Sequence, residues 1–196
     1  MARDGTGTGL EQLRRLMLEK GYERRDVAFA LSSGGTSHDY VDLRRAVAHG
    51  PDLRLAASVL LEGLAGAGIE FDAIGGMTMG ADPVAHAAAV LSGRDWFSVR
   101  KAEKHHGSRR RIEGAALGPG VRAVVFEDTV STGRSLLEAL GAVEASGATV
   151  VAVCALLDRG DATAPVLAAR HLAYLALLTY GDLGIGPLAA AGADGP

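Results

Sequence analysis

The sequence predicts an α/β fold in which a parallel sheet is flanked by helices. Helical and extended patterns alternate along most of the chain, and strands separated by helices are typical of a parallel sheet. Two predicted strands, VVF ending at Phe126 and VVAVCALL ending at Leu157, are apolar at almost every position. Such strands fit a sheet whose two faces are both covered.

The amino-terminal quarter is predicted to form a separate cap and hood on this sheet. Leu10, Leu13 and Met17 make a helical stripe that ends at Gly21, and residues 26–31 read as a short strand. We assign residues 1–50 to this cap and hood.

The remaining chain supplies the core, residues 51–185, and a tail, 186–196, that we expect to be frayed. Pro51 opens a helix that weakens at Gly66, because proline suits the first helical turn. The predicted elements that follow are strand 71–74, helix 83–91, strand 96–99, a polar stretch 100–120, strand 122–126, helix 133–145, strand 149–156 and strand 172–178. With 196 residues, 48% of them hydrophobic, the chain is predicted to form one domain.

Composition excludes several classes of partner. A net charge of −3 gives no overall attraction to nucleic acid or to anionic lipid. No run of 18 apolar residues occurs, and the first residues, MARDGTGTG, have no apolar core of a signal peptide. We therefore predict a cytoplasmic protein without membrane or nucleic-acid partners. Cys154, the only cysteine, lies in an apolar run and is expected to be a small buried side chain.

The segment Val124–Ser135, VVFEDTVSTGRS, carries the strongest functional signal. Its apolar strand ends in Glu127 and Asp128, at the edge where open α/β sheets hold ligands. A hydroxyl-containing turn, 129–133, then leads into a helix that begins near Arg134. Backbone N–H groups and the positive end of that helix can bind a phosphate.

The acid pair narrows the ligand to a sugar phosphate. Two carboxylates repel a phosphate, so Glu127 and Asp128 are expected to bind sugar hydroxyls, with help from a divalent cation. The segment lacks the lysine of a P-loop and the three glycines of the dinucleotide motif. The alternative interpretation, an acid pair that only caps a helix, stays open on these residues alone.

EDTVSTG resembles the phosphoribosyl pyrophosphate motif of type I phosphoribosyltransferases. Four further segments, in family order, resemble orotate phosphoribosyltransferases: LSSGGTSHDYVDLR from Leu31, GGMTMGADPVA from Gly75, RKAEKHHG from Arg100, and the pair Asp158–Arg159. The RK-x-x-K-x-HG pattern is the most specific of these. The resemblance implies a type I phosphoribosyltransferase fold with an amino-terminal hood.

The resemblance also assigns roles to individual residues. Those implied to be catalytic are Lys101, Lys104, His106 and Asp128. Those implied to bind phosphoribosyl pyrophosphate are Arg100, Lys101, Lys104, His106, Glu127, Asp128, Thr129, Val130, Ser131, Thr132, Gly133, Arg134 and Ser135. Ser131 and Arg159 are implied to bind orotate. The implied cofactor is Mg²⁺, held mainly by the pyrophosphate and ribose hydroxyls and not by protein ligands.

The stretch Arg100–Gly120 is long, polar and basic, and we interpret it as a mobile lid. The resemblance implies that Arg100, Lys104 and His106 act in the neighbouring subunit's site while Lys101 acts in its own, hence a homodimer with shared active sites. The alternatives are a solvated basic loop or a nucleic-acid patch, and the second lacks the aromatic side chains that stack on bases.

The hood departs from the family pattern. Many members have a lysine near the SSG glycine, and here Ser32, Gly35 and Thr36 occupy that neighbourhood. The leading hypothesis is transfer of a phosphoribosyl group to orotate, giving orotidine 5'-monophosphate and pyrophosphate in pyrimidine biosynthesis. A paralogous enzyme for another base, and a non-catalytic regulator that senses a phosphoribosyl ligand, are the alternatives.

Overall fold

The hood is an antiparallel hairpin. The computed structural model describes residues 8–30, 36–101, 111–160 and 162–186. Helix α1 (Gly9–Leu16) continues into a π-helical turn (Met17–Gly21), and strands β1 (Tyr22–Ala30) and β2 (Thr36–Val41) then pair. The predicted strand 26–31 therefore starts too late, and β2 was missed, because its sequence TSHDYV has no apolar run. A short helix, α2 (Leu43–Ala46), follows the hairpin.

The core is a six-stranded sheet with helices between its strands. Its elements in chain order are α3 (Gly50–Gly66), β3 (Ala73–Met77), α4 (Asp82–Ser92), β4 (Asp95–Val99), β5 (Ile112–Gly114), β6 (Arg122–Val130), α5 (Arg134–Ala145), β7 (Thr149–Asp158), α6 (Thr163–Ala169), β8 (Tyr174–Thr179) and a 3₁₀ turn (Gly181–Leu183). The strand order is β5-β4-β3-β6-β7-β8. All neighbours are parallel except β4 and β5.

The predicted α/β class with a parallel sheet is confirmed, with two local corrections. Residues 112–114 form the antiparallel edge strand β5, so the predicted lid, 100–120, is too long at its carboxyl end. Helix α6 was missed because seven residues give too little periodicity to recognise. No helix among the described residues has the length and apolar character needed to cross a membrane.

Both faces of the sheet are buried, as the apolar strands predicted. Successive side chains of a strand point to opposite faces. Val124 and Phe126 of β6 accordingly belong to the core shared with α1–α4, whereas Ala123 and Val125 belong to the core shared with α5 and α6. All four side chains are fully buried.

Two glycines set how closely the central strands approach. A Cβ atom on Gly75 would collide with the carbonyl oxygen of Phe97 in β4, and one on Gly76 would collide with that of Phe126 in β6. Strand β3 therefore lies tightly between its neighbours. The turn that follows it is held next to the carboxyl ends of β4 and β6, where parallel α/β sheets place their ligand sites.

Candidate active site

Strand β6 carries the acid pair inside the sheet and not after it. The predicted strand ended at Phe126, but β6 continues to Val130 because Thr129 and Val130 still pair with Leu157 and Asp158 of β7. Glu127 and Asp128 therefore point to opposite sides of the strand. Glu127 is 6% exposed, and Asp128 is half-buried and accepts a hydrogen bond from the backbone N–H of Thr129 at 2.7 Å.

The environment of Glu127 favours its protonated form. One carboxylate oxygen accepts a long hydrogen bond, 3.3 Å, from the backbone N–H of Asp128, and the other has no hydrogen-bond partner among the described residues. Burial, and next the charge of Asp128, raise the pKa of Glu127 to about 8. Lys101 acts in the opposite direction. A ligand that brings hydroxyl donors or positive charge to this carboxylate would relieve an unfavourable environment.

The turn after β6 encloses a small cavity at the start of α5. The cavity has a volume of about 280 Å³ and is lined by Glu127 and every residue from Thr129 to Leu136. Its shape depends on Gly133, which has φ of +73° and whose Cβ atom would lie 2.6 Å from the hydroxyl oxygen of Thr163. Gly133 is the N-cap of α5, and no side chain caps the helix. The hydroxyls of this turn are thus not used as helix caps.

A second cavity adjoins the first on the side of β3. Its volume is about 520 Å³, and Glu127, Thr129 and Ser135 line both cavities. The other lining residues are Arg44, Met77, Thr78, Met79, Gly80, Lys101 and Asp128. The turn after β3 packs directly on the acid pair, since a Cβ atom on Gly80 would lie 2.8 Å from the Asp128 carboxylate. The two cavities form one continuous site.

The basic segment after β4 begins at this site. Lys101 is exposed and lines the second cavity. Arg100 closes the base of the segment: its backbone N–H donates to the carbonyl of Arg111 at 2.8 Å, and its guanidinium lies 3.8 Å from Glu113. Lys104 and His106 lie outside the described residues, so their predicted positions are not tested.

Arg159 lies at the end of β7, beside the site. Its guanidinium carbon is 5.0 Å from the centre of the Tyr180 ring, and its Nε and Nη2 have no hydrogen-bond partner among the described residues. Neither cavity, as the described residues outline them, includes Arg159. Asp158 is turned inward and accepts hydrogen bonds from the Tyr174 hydroxyl, 2.7 Å, and from the Gly160 N–H, 3.1 Å. The Asp158 carboxylate is therefore used within the fold, whereas Nε and Nη2 of Arg159 are buried nitrogens without a described partner.

Some residues that line the site were not predicted from the sequence, and one predicted residue can contact a ligand only through its backbone. Arg44, Thr78 and Met79 line the second cavity without having been assigned, although they lie in or beside segments that resemble the family. The Val130 side chain is buried in the core, so only its backbone can contact a ligand. A larger groove of about 880 Å³, along α5 and residues 111–117, contains none of the predicted ligand-binding residues among its described lining.

The donor set fits a magnesium ion that is carried by the substrate. No group of three or more His, Cys, Asp or Glu side chains among the described residues could hold a metal by itself. Glu127 and Asp128 provide two carboxylates at the cavity wall, one of them with an oxygen lacking a described partner. Mg²⁺ commonly binds through one or two carboxylates together with substrate phosphates and water.

Known proteins resemble this chain over most of its length. It is 45% identical, over 157 residues, to orotate phosphoribosyltransferase of Corynebacterium glutamicum, which covers 79% of this chain and 84% of that protein. The chain belongs to the orotate phosphoribosyltransferase family. This confirms the resemblance inferred from EDTVSTG and RKAEKHHG. No protein-family model matches the chain.

Solved structures of orotate phosphoribosyltransferases are also similar to this chain. The crystal structure of Mycobacterium tuberculosis orotate phosphoribosyltransferase has a TM-score of 0.77 and 38% identity, covering 91% of this chain and 100% of that one. The same enzyme in complex with 5-phospho-α-D-ribosyl 1-diphosphate, the phosphoribosyl pyrophosphate of the sequence analysis, has a TM-score of 0.74 and 36% identity, with the same coverage. The type I phosphoribosyltransferase fold predicted from the sequence is confirmed.

Proposed function

We propose that this enzyme transfers the phosphoribosyl group from phosphoribosyl pyrophosphate to orotate, releasing pyrophosphate in pyrimidine biosynthesis. One observation carries the proposal: the acid pair, the turn 129–135 and the turn after β3 surround one continuous site at the carboxyl edge of the sheet. A phosphate, a ribose and a pyrophosphate each find matching chemistry there, in the order in which the substrate joins them.

The phosphate and the ribose are assigned to β6 and the turn that follows it. The 5'-phosphate fits the 280 Å³ cavity, where the hydroxyls of 129–135 and the start of α5 offer donors and a positive dipole. The ribose hydroxyls can donate to Glu127 and Asp128, whose carboxylates lie on the shared wall of the two cavities. Such donors would favour the ionised form of the buried Glu127.

The pyrophosphate is assigned to the 520 Å³ cavity, between the turn after β3 and Lys101. In the reaction, a ring nitrogen of orotate bonds to the anomeric carbon while the bond from that carbon to the pyrophosphate oxygen breaks. The N–H proton of that ring nitrogen is lost to the departing pyrophosphate or to water. The bonding electrons leave with the pyrophosphate, so Lys101, with Lys104 and His106 by family resemblance, would stabilise its growing negative charge. Mg²⁺, when bound, offsets part of the same charge.

Orotate is assigned to the space beside Arg159 and Ser131. The Arg159 guanidinium stacks over Tyr180 and keeps two nitrogens without a described partner, which suits recognition of a carboxylate or of ring carbonyls. The hood sequence favours a second candidate, a different heterocyclic base, because Ser32, Gly35 and Thr36 replace a lysine of many family members.

The decisive experiment measures pyrophosphate release from phosphoribosyl pyrophosphate and Mg²⁺. Orotate is compared with a panel of other bases and with a reaction that contains no base. We expect release that depends on orotate. Release with another base only would support the second candidate, and no release with any base would contradict both and favour the regulator.

We further propose a cytoplasmic homodimer with shared sites. Val90, Leu91 and Trp96, large apolar side chains of α4 and β4, are 80%, 38% and 43% exposed, as expected for a covered interface. Mixing Lys101→Ala with Lys104→Ala subunits should restore part of the activity that each variant lacks. Heterodimers that form but stay inactive would contradict sharing.

A further inference from the structure

Four side chains outside the predicted site residues form a continuous hydrogen-bonded chain behind the pyrophosphate turn. The Thr78 hydroxyl donates to one oxygen of Asp82 at 2.7 Å, and the Ser98 hydroxyl donates to the other at 2.7 Å. The Nε2 of His86 lies 3.2 Å from the Ser98 hydroxyl oxygen. The His86 ring in turn packs on Trp96, with 4.4 Å between ring centres.

The direction of the hydrogen bonds follows from proton counting. A serine hydroxyl has one proton, and that of Ser98 is used toward Asp82. His86 must therefore donate its Nε2–H to Ser98. The set is not a Ser-His-Asp nucleophile, which needs serine to donate to histidine. Ser98 is also only 8% exposed, inside β4. The hydroxyls of Thr78 and Ser98 both donate to Asp82, and His86 supports Ser98, so the network holds this carboxylate in place.

Asp82 is free to act in this way because it does not cap its helix. The N-cap of α4 is Ala81, and Asp82 is the first helical residue. Its two oxygens point to Thr78 and to Ser98 instead. A carboxylate at this position is also favoured by the positive end of the α4 dipole.

Thr78 is the point where this network reaches the site. Its backbone N–H donates to the carbonyl of Val99 at 2.9 Å, and its side chain donates to Asp82. Thr78, Met79 and Gly80 line the 520 Å³ cavity, and Gly80 packs on Asp128. The conformation of the 78–80 turn is therefore fixed from behind by Asp82 and from the front by the acid pair.

We propose that Asp82 is a positioning residue for phosphoribosyl pyrophosphate, and that Ser98 and His86 hold it so that Thr78 fixes the pyrophosphate turn. The inference rests on the proposed assignment of the pyrophosphate to this cavity. Because the turn is already ordered in the free protein, substrate binding does not include the entropic cost of ordering it. Because pyrophosphate contacts the turn before and during its departure, the effect should fall on substrate binding more than on turnover.

The test compares Asp82→Ala, Asp82→Asn, Thr78→Val and Thr78→Ser. Asp82→Ala and Thr78→Val should each raise KM and the calorimetric Kd for phosphoribosyl pyrophosphate about tenfold, the loss expected for one charge-assisted hydrogen bond. KM for orotate should change less than about twofold. Asp82→Asn and Thr78→Ser, which keep hydrogen-bonding groups, should lie between these variants and the wild type. Asp95→Asn, an exposed carboxylate that begins β4, is the matched control and should behave as wild type.

A merely structural Asp82 gives a different result. Its loss would then lower Tm and leave the Kd for phosphoribosyl pyrophosphate unchanged, which would overturn the proposal. If Asp82→Ala does not fold, the calorimetric Kd of Thr78→Val for phosphoribosyl pyrophosphate tests the proposal in its place. Failure of the proposed function is seen separately, as absent turnover in the wild type, and the calorimetric Kd still tests Asp82. Wild-type protein that does not bind phosphoribosyl pyrophosphate at all would overturn both.

Discussion

The proposed phosphate side and the proposed pyrophosphate side of the site are built in opposite ways. The phosphate side is one continuous segment, 127–136, that runs from β6 through a turn into α5. The pyrophosphate side combines residues from α2, the turn after β3, the end of β4 and β6. A contiguous segment can be recognised from its own residues, whereas an assembled one depends on how the sheet orders its strands.

The two sides also differ in what holds their turns. Gly133 sets the phosphate turn through its backbone, because only glycine adopts φ of +73° without strain and without contacting Thr163. The pyrophosphate turn is held by side chains, those of Thr78, Asp82 and Ser98. The phosphate turn should therefore be sensitive to a Cβ atom at Gly133. The pyrophosphate turn should be sensitive to the loss of hydrogen-bonding side chains.

The largest effect is expected from Gly133→Ala, which breaks the phosphate side. Positive φ and the close approach to Thr163 should lower the free energy of unfolding by about 2 kcal/mol. The KM for phosphoribosyl pyrophosphate should rise at the same time. Urea unfolding and steady-state kinetics measure the two effects.

Gly141→Ala is the control for that variant. Gly141 lies in α5 with open space around its Cβ position, so alanine should raise stability by up to about 1 kcal/mol. Equal stabilities of the Gly133 and Gly141 variants would show that the turn does not depend on its backbone conformation.

An intermediate effect is expected from Asp128→Asn, at the boundary of the two sides. The change removes a charge beside the ribose and beside Gly80, and should raise KM for phosphoribosyl pyrophosphate about tenfold. Unfolding should remain cooperative, because Asp128 is only half-buried. Unchanged KM and kcat, next to the Asp95→Asn control, would contradict the placement of the acid pair at the ribose.

The smallest effect is expected from Glu127→Gln and concerns pH. The pKa of Glu127 is raised from 4.5 to about 8 in the folded protein, so folding favours its protonated form. Stability from this group is complete below 4.5 and falls as the pH rises toward 8. Glutamine does not titrate, so the stability of Glu127→Gln relative to wild type should rise as the pH rises.

The measurement is the urea midpoint of Glu127→Gln and wild type at several pH values. The gap should widen as the pH rises from about 4.5 to about 8. A gap that narrows with rising pH would contradict a raised pKa for Glu127.

Much of the site could be predicted where the residues that are proposed to bind one ligand are also neighbours in the sequence. Glu127 to Ser135 are neighbours in sequence, and their residue types alone indicated a sugar phosphate. The resemblance of 75–85 and of 100–107 to the family indicated the segments now proposed for the pyrophosphate side, without their geometry. Arg44 and Thr78 were missed, because their proximity to Asp128 arises from the packing of the hood and of β3 on the sheet.

The sequence by itself determined the α/β class, the parallel core strands and the turn between β6 and α5, because these depend on local periodicity and on residues that follow one another. Only the tertiary structure decided the extension of β6 through the acid pair, the edge strand β5 and the hairpin β1–β2, because strand pairing is a contact between distant segments. It also decided the role of Asp82. Its sequence position suggests an N-cap, but hydroxyl donors from β4 and from the turn after β3 direct its carboxylate toward the pyrophosphate turn.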